Sequence, residues 1–138
     1  DDQVFPGGLT YSGHPLAAAS IVASIDAMEE EGIIENAASI GREVLGPGLH
    51  ALAESHPMIG EVRGIGVFWA LDLVTSRETR EPVPAATIGA LKKELMARGL
   101  LPFTADNRLH VVPPCTVTHE ECLRALTILD EAFTALEQ

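Results

Sequence analysis

MIGEVRGIGVFWALDLV, residues 58–74, is where the chain changes character. Val62, Val67, Phe68, Trp69 and Val74 favour extended backbone, because branched and aromatic side chains pack well on a pleated surface. Gly64 and Gly66 interrupt that run and predict a bend or bulge between strand segments. On both sides of this stretch the apolar residues recur at helical spacing instead. A sheet must therefore form here and be covered by what flanks it.

Upstream, Ile34, Ala37, Ala38, Gly41, Leu45, Leu49 and Leu52 step by three and four, which predicts one helix. Its phase survives Gly-Pro-Gly at 46–48, so the helix is expected to kink there and to end at His56-Pro57. Before it, PLAAASIVASIDAMEEE, residues 15–31, reads as a first helix with Pro15 at its start and Gly32 as its stop. That helix is apolar at its beginning and acidic at its end, so its first half is expected to be covered and its tail solvated.

Downstream, TSRETREPVPA is a polar loop and ATIGALKKELMARG an amphipathic helix closed by Gly99. LLPF and RLHVV predict two short strands around the turn TADN, with Pro113-Pro114 ending the second. The last segment opens with Thr118 and, three residues on, Glu121, the pattern of a capping box. Its stripe of Cys122, Leu126, Leu129, Phe133 and Leu136 should face a core. The order helix, helix, strands, helix, strand pair, helix predicts an α+β fold. Helices pack on one face of a small antiparallel or mixed sheet, preceded by a long connecting helix.

The 138 residues suit one domain, and 46% apolar with 21% charged residues is an ordinary globular composition. A net charge of −11 argues against a nucleic-acid partner, whose phosphates require clustered Lys and Arg, and is read as a solubility feature. No apolar run is long enough to predict a membrane span, and the opening Asp-Asp-Gln lacks the basic-then-apolar pattern of a signal peptide. Without an initiator Met, the chain is expected to be a piece of something longer. Cys115 and Cys122 cannot make a zinc site alone and are expected as free thiols in a reducing, cytoplasmic setting.

No nucleophile elbow, lysine-bearing phosphate loop or metal-binding helix is present in the sequence. Lys92 and Lys93 are adjacent on the amphipathic helix and read as solvated surface. The strongest chemical lead is GGLTYSG, residues 7–13. It places backbone N–H groups and the hydroxyls of Thr10, Tyr11 and Ser12 beside a helix N-terminus. Such a combination suits either a phosphate or a plain helix-initiating turn.

FPGGLTYSGHPLAAAS, residues 5–20, closely resembles the segment that follows the Schiff-base lysine in class III, pyridoxal-phosphate-dependent aminotransferases. The likeness continues through residues 34–74 and through LHVVPPCTVTHEE, residues 109–121, in the family's order. Within the family the chain is most similar to enzymes that move amino groups between ω-amino acids or amines and a 2-oxo acid such as pyruvate. The resemblance implies the small domain of a fold type I enzyme. Residues 1–14 would be the edge of the cofactor-binding large domain, 15–31 the connecting helix, and 32–138 the C-terminal small domain. It implies pyridoxal 5'-phosphate as cofactor, with Thr10 contacting the phosphate held by the neighbouring subunit of a homodimer. The lysine and most of the cofactor pocket would lie upstream, in the large domain of the same chain, so this piece alone is not expected to transaminate.

Some members of the family place a carboxylate-binding Arg three residues before the Pro pair and others ten before it; this sequence has His110 and Phe103 there. Strand alternation puts Arg108 and His110 on one face, opposite Leu109 and Val111. Arg108, with His110, is thus a candidate for holding a substrate carboxylate through the guanidinium fork. The competing reading is an edge-strand Arg paired with a surface acid. Arg63 is expected in an ion pair with Glu61 or Asp72, His14 as a cap, Trp69 and Cys115 as buried residues, and His50, His56 and His119 at the surface. Two rival functions share these residues: an aminomutase or other class III cofactor enzyme, and a stand-alone ligand-binding or interaction module.

Overall fold

The structure, a computed structural model, describes residues 7, 8 and 10–137. The readings placed on residues 1–6 and on Leu9 lie outside these. The chain divides into two compact units, Asp1–Ile33 and Ile34–Gln138.

In the first unit a turn at Thr10–Gly13 leads into α1, Pro15–Glu30. Gly13 takes the left-handed conformation (φ 75°), and Gly32 does so again (φ 60°) beyond the helix's last turn. α1 starts where predicted and ends one residue earlier, at Glu30, but it lacks the predicted cover. Its own unit buries none of its residues, and Leu16, Ile21, Val22 and Ile25 are at least half exposed. These side chains spread around the helix instead of forming one stripe, and a single helix has nothing to close over them.

The second unit is an α+β sandwich. β1 (Ile59–Ile65), β2 (Phe68–Leu73), β3 (Phe103–Ala105) and β4 (Arg108–Val111) form one sheet in the order β1-β2-β4-β3, with every neighbouring pair antiparallel. Residues 59–73 thus form a tight hairpin. Gly66 (φ 57°) makes its turn, the bend expected between the strand segments, and a register shift that the sequence reading did not place lies at Gly60, between Ile59 and Glu61. β3 starts only at Phe103, so Leu100 and Leu101 are not strand as expected. Pro102, with no N–H to give to a ladder, sets that limit. Asp106 (φ 53°) turns β3 back into β4.

On the core face, Trp69, Leu71, Leu73 and Leu109 meet the helices α2 (Ile33–Ile40), α3 (Gly46–Ser55), α4 (Ala85–Ala97) and α5 (His119–Glu137). Leu49, Leu91, Leu95, Leu129 and Phe133 are sealed from solvent there. The deviation predicted at Gly-Pro-Gly appears one turn earlier, as a π-helical turn over Gly41–Leu45 between α2 and α3. Pro47, in the first turn of α3, cannot donate to the helical ladder, and the wider turn before it absorbs the missing bond. α5 begins with the capping box expected: the Glu121 N–H donates to Thr118 Oγ1 (3.2 Å) and the Thr118 N–H to Glu121 Oε2 (2.9 Å).

Candidate active-site face

The sheet's second face holds the predicted strand residues in two rows. Antiparallel register aligns Arg63, Ala70, His110 and Phe103 across the four strands, and beside them Glu61, Asp72, Arg108 and Ala105. Residues directly opposite one another share a face. Arg108 and His110 therefore do lie together, and the buried Leu109 between them points to the core.

The two rows have different chemistry at their two ends. Toward the hairpin turn, the His110 ring lies between Phe103 (centroids 5.1 Å apart) and Phe68 (6.4 Å), and both phenylalanines are more than half exposed. Ile65, opposite Phe68, is also exposed, so this corner is apolar with one imidazole in it. At the other corner a cavity of about 260 Å³ is lined by Arg63, Asp72, Val74, Arg80, Asn107 and Arg108. Its cations already have partners. Arg63 engages Asp72 through both terminal nitrogens and approaches Glu61 at 3.7 Å, the ion pairs expected of it. Arg80 engages Glu61. Arg108 donates to Asp106 Oδ2 at 3.0 Å, but Asp106 is 82% exposed, and so open a pair is weakly held. β4 is an inner strand, so the pairing half of the competing reading of Arg108 holds and the edge half does not.

The Thr10–Gly13 turn belongs to the other unit. Thr10, Tyr11 and Ser12 are exposed, and His14 sits at the N-cap position without capping through its side chain, contrary to its expected role. His14 is extended (φ −60°, ψ 123°), which fits the restriction Pro15 imposes on the residue before it. The first turn of α1 contains no acidic residue. A helix N-terminus that the His14 side chain does not cap, with the exposed Thr10 hydroxyl close by in sequence, has donors suited to an anion, so these residues fit a phosphate group.

Trp69 is buried, its Nε1–H donating to the Gly66 carbonyl at 2.7 Å, and Lys92 and Lys93 are exposed on α4. Cys115 is exposed, not buried, because it follows the Pro pair in the turn that leads to α5; its carbonyl accepts from Asn36 Nδ2 at 2.8 Å. Cys122 is buried, and burial pushes its thiol pKa up, away from reactivity. His50 and His119 are exposed as expected, but His56 is only 4% exposed, with a carboxylate at each ring nitrogen. Sequence reading missed it because its partners lie more than seventy residues away. The available signal was the pair Asp130 and Glu137, two turns apart on α5, flanking Phe133. Arg77 was also missed: its guanidinium donates to the carbonyls of Ala53, His56 and Ile59, tying the end of α3 to β1.

Residues 3–133 match the family described as aminotransferase class-III. An ethanolamine-phosphate phospho-lyase homolog of Caenorhabditis elegans is 36% identical over 94% of this chain and 28% of its own length. A 5-aminovalerate aminotransferase of Pseudomonas putida is 33% identical over 98% of this chain and 32% of its own. Among solved structures, a PLP-bound amine transaminase from an uncultivated Pseudomonas species superposes with a TM-score of 0.85. It is 36% identical, covering 96% of this chain and 30% of that one. The chain thus spans about a third of the length of these relatives.

Proposed function

This chain belongs to the class-III aminotransferase family, and from that premise we propose that it forms the small-domain region of a pyridoxal-phosphate-dependent transaminase. The reaction moves an amino group from an amine or amino acid to a 2-oxo acid. The observation that carries this reading is the family match over residues 3–133 together with the fold shared with the amine transaminase. The phospho-lyase relative keeps a second reading in play, in which the same scaffold serves another class III cofactor reaction.

Bound pyridoxal phosphate supplies the electron sink for the carbon that carries the amino group. Residues 1–14 would be the edge of the large domain, 15–31 the connector and 32–138 the small domain. Thr10 would donate its hydroxyl to the cofactor phosphate of the neighbouring subunit, with backbone N–H groups of the same turn adding charge-assisted bonds. That role makes the enzyme a homodimer. The two unpaired cysteines are in keeping with a cytoplasmic setting. No helix among the described residues is long and apolar enough to cross a membrane.

Arg108 would bind a substrate carboxylate by exchanging its exposed Asp106 partner for it, while His110 presents its ring edge from the aromatic corner. Asp72, opposite Arg108 on β2, would repel that carboxylate were its charge not held by Arg63. The full-length protein should bind pyridoxal phosphate, seen as visible absorbance, and convert amine plus 2-oxo acid to the exchanged pair. Arg108→Ala should raise KM for carboxylate substrates about tenfold or more, the effect of a lost hydrogen bond to a charged group, and leave uncharged amines unaffected. A full-length protein that neither binds the cofactor nor exchanges amino groups would end the functional reading. An unchanged KM for every carboxylate substrate would end the role of Arg108 alone.

A further inference from the structure

The contacts of His56 are unusual for a residue beyond the end of a helix. The imidazole sits at the corner between α3 and β1, nearly sealed, with its ring tilted over Phe133 of α5 at 5.4 Å. Nδ1 lies 2.8 Å from Glu137 Oε2, and Nε2 lies 2.9 Å from Asp130 Oδ1. An ionised carboxylate only accepts hydrogen bonds, and a neutral imidazole has a single N–H. Both contacts can be hydrogen bonds at once only when both ring nitrogens carry a proton. Glu137 is further tied to this corner by its Oε1, which accepts from the Met58 N–H at 3.4 Å.

We propose that His56 is a proton-held latch: doubly protonated, it pins the last two turns of α5 to the α3–β1 corner, and loss of one ring proton releases that end. Asp130 and Glu137 are the charged groups on the ring from α5. From the loop after β2, Arg77 binds the His56 carbonyl, not its ring. Just beyond α4, Arg98 shares a shallow groove with Asp130 but is engaged by Glu94 and Glu131. No described contact places an ionisable group of α3 or β1 on the ring.

Burial works against the charged ring, but the hydrogen bonds and charges of Glu137 and Asp130 outweigh it and raise its pKa. A raised pKa means the latch is fully present below the ordinary value of about 6.5 and is lost as pH climbs through the raised one. Within that window each pH unit favours release by up to about tenfold, and above it the effect is flat. The device needs no cofactor, so it stands apart from the transaminase reading.

The test is hydrogen exchange in the peptide 130–137 of the full-length protein as a function of pH, corrected for the intrinsic exchange rate. Imidazole nitrogen resonances of His56 are read on the same samples. The expected result is two protonated nitrogens at about pH 6, with protection of the peptide falling as one proton leaves. Asp130→Asn keeps an acceptor at an exposed position but removes a charge, and should move the midpoint to lower pH. His56→Gln should make the protection independent of pH. A neutral tautomer at about pH 6, protection that stays constant while the His56 resonances show the loss of one ring proton, or a midpoint that Asp130→Asn leaves unmoved would each overturn the latch.

Discussion

A single missing methyl decides the joint between helices and hairpin. Gly41 opens the π-helical turn directly against the hairpin turn, and a Cβ there would stand 2.2 Å from the Gly66 carbonyl oxygen. The obstacle is backbone on both sides, so it cannot rotate away. Gly41→Ala should therefore destabilise the protein by about 3 kcal/mol or more, the upper end of what overpacking does, measured by denaturant unfolding. The requirement could not be read from the sequence, where Gly41 is only one small residue in a helical stripe. His56 repeats the lesson. Composition assigns an imidazole after a helix to the surface, and only the approach of α5 makes it a buried cation with two partners.

Elements were the most legible scale, because their causes are local. The capping box at Thr118 and Glu121 formed as read, since each partner lies within one turn of the other. Thr118→Ala should cost about 1 kcal/mol of stability in thermal unfolding, as cap removals do. Hydrogen bonds from the Thr118 N–H and hydroxyl hold the Glu121 carboxyl below its ordinary pKa. Its contribution is thus complete above the usual glutamate range and disappears as pH falls through the lowered value; Glu121→Gln, which cannot ionise, should lack that component in acid unfolding, whereas Thr118→Ala keeps the N–H and should only diminish it. The element boundaries that shifted did so for backbone reasons: Pro102 delays β3, and Pro47 moves the helix irregularity one turn upstream. On the sheet's second face, alternation alone placed Arg108 with His110. The rows they share with Arg63, Asp72 and Phe103 required the strand order, which no local pattern contains.

At the scale of the whole molecule, the 34–138 unit depends on α5 closing over the sheet through Phe133, which is fully sealed against solvent. Phe133→Ala should lower the stability of that unit by about 3–5 kcal/mol, read from its denaturation midpoint, because the cavity left cannot be filled by the surrounding strands. By itself the sequence determined the helices and strands, the α+β class, the face on which Arg108 and His110 lie and the family. Those follow from periodicity, caps, turns and motif order, all expressed over a few neighbouring residues. The tertiary structure alone decided that β4 is an inner strand, that Arg80 is occupied by Glu61 and that His56 is enclosed by two carboxylates. Each of these depends on residues far apart in the chain meeting at hydrogen-bonding distance, and pairing energy acts only once the fold has brought the partners together.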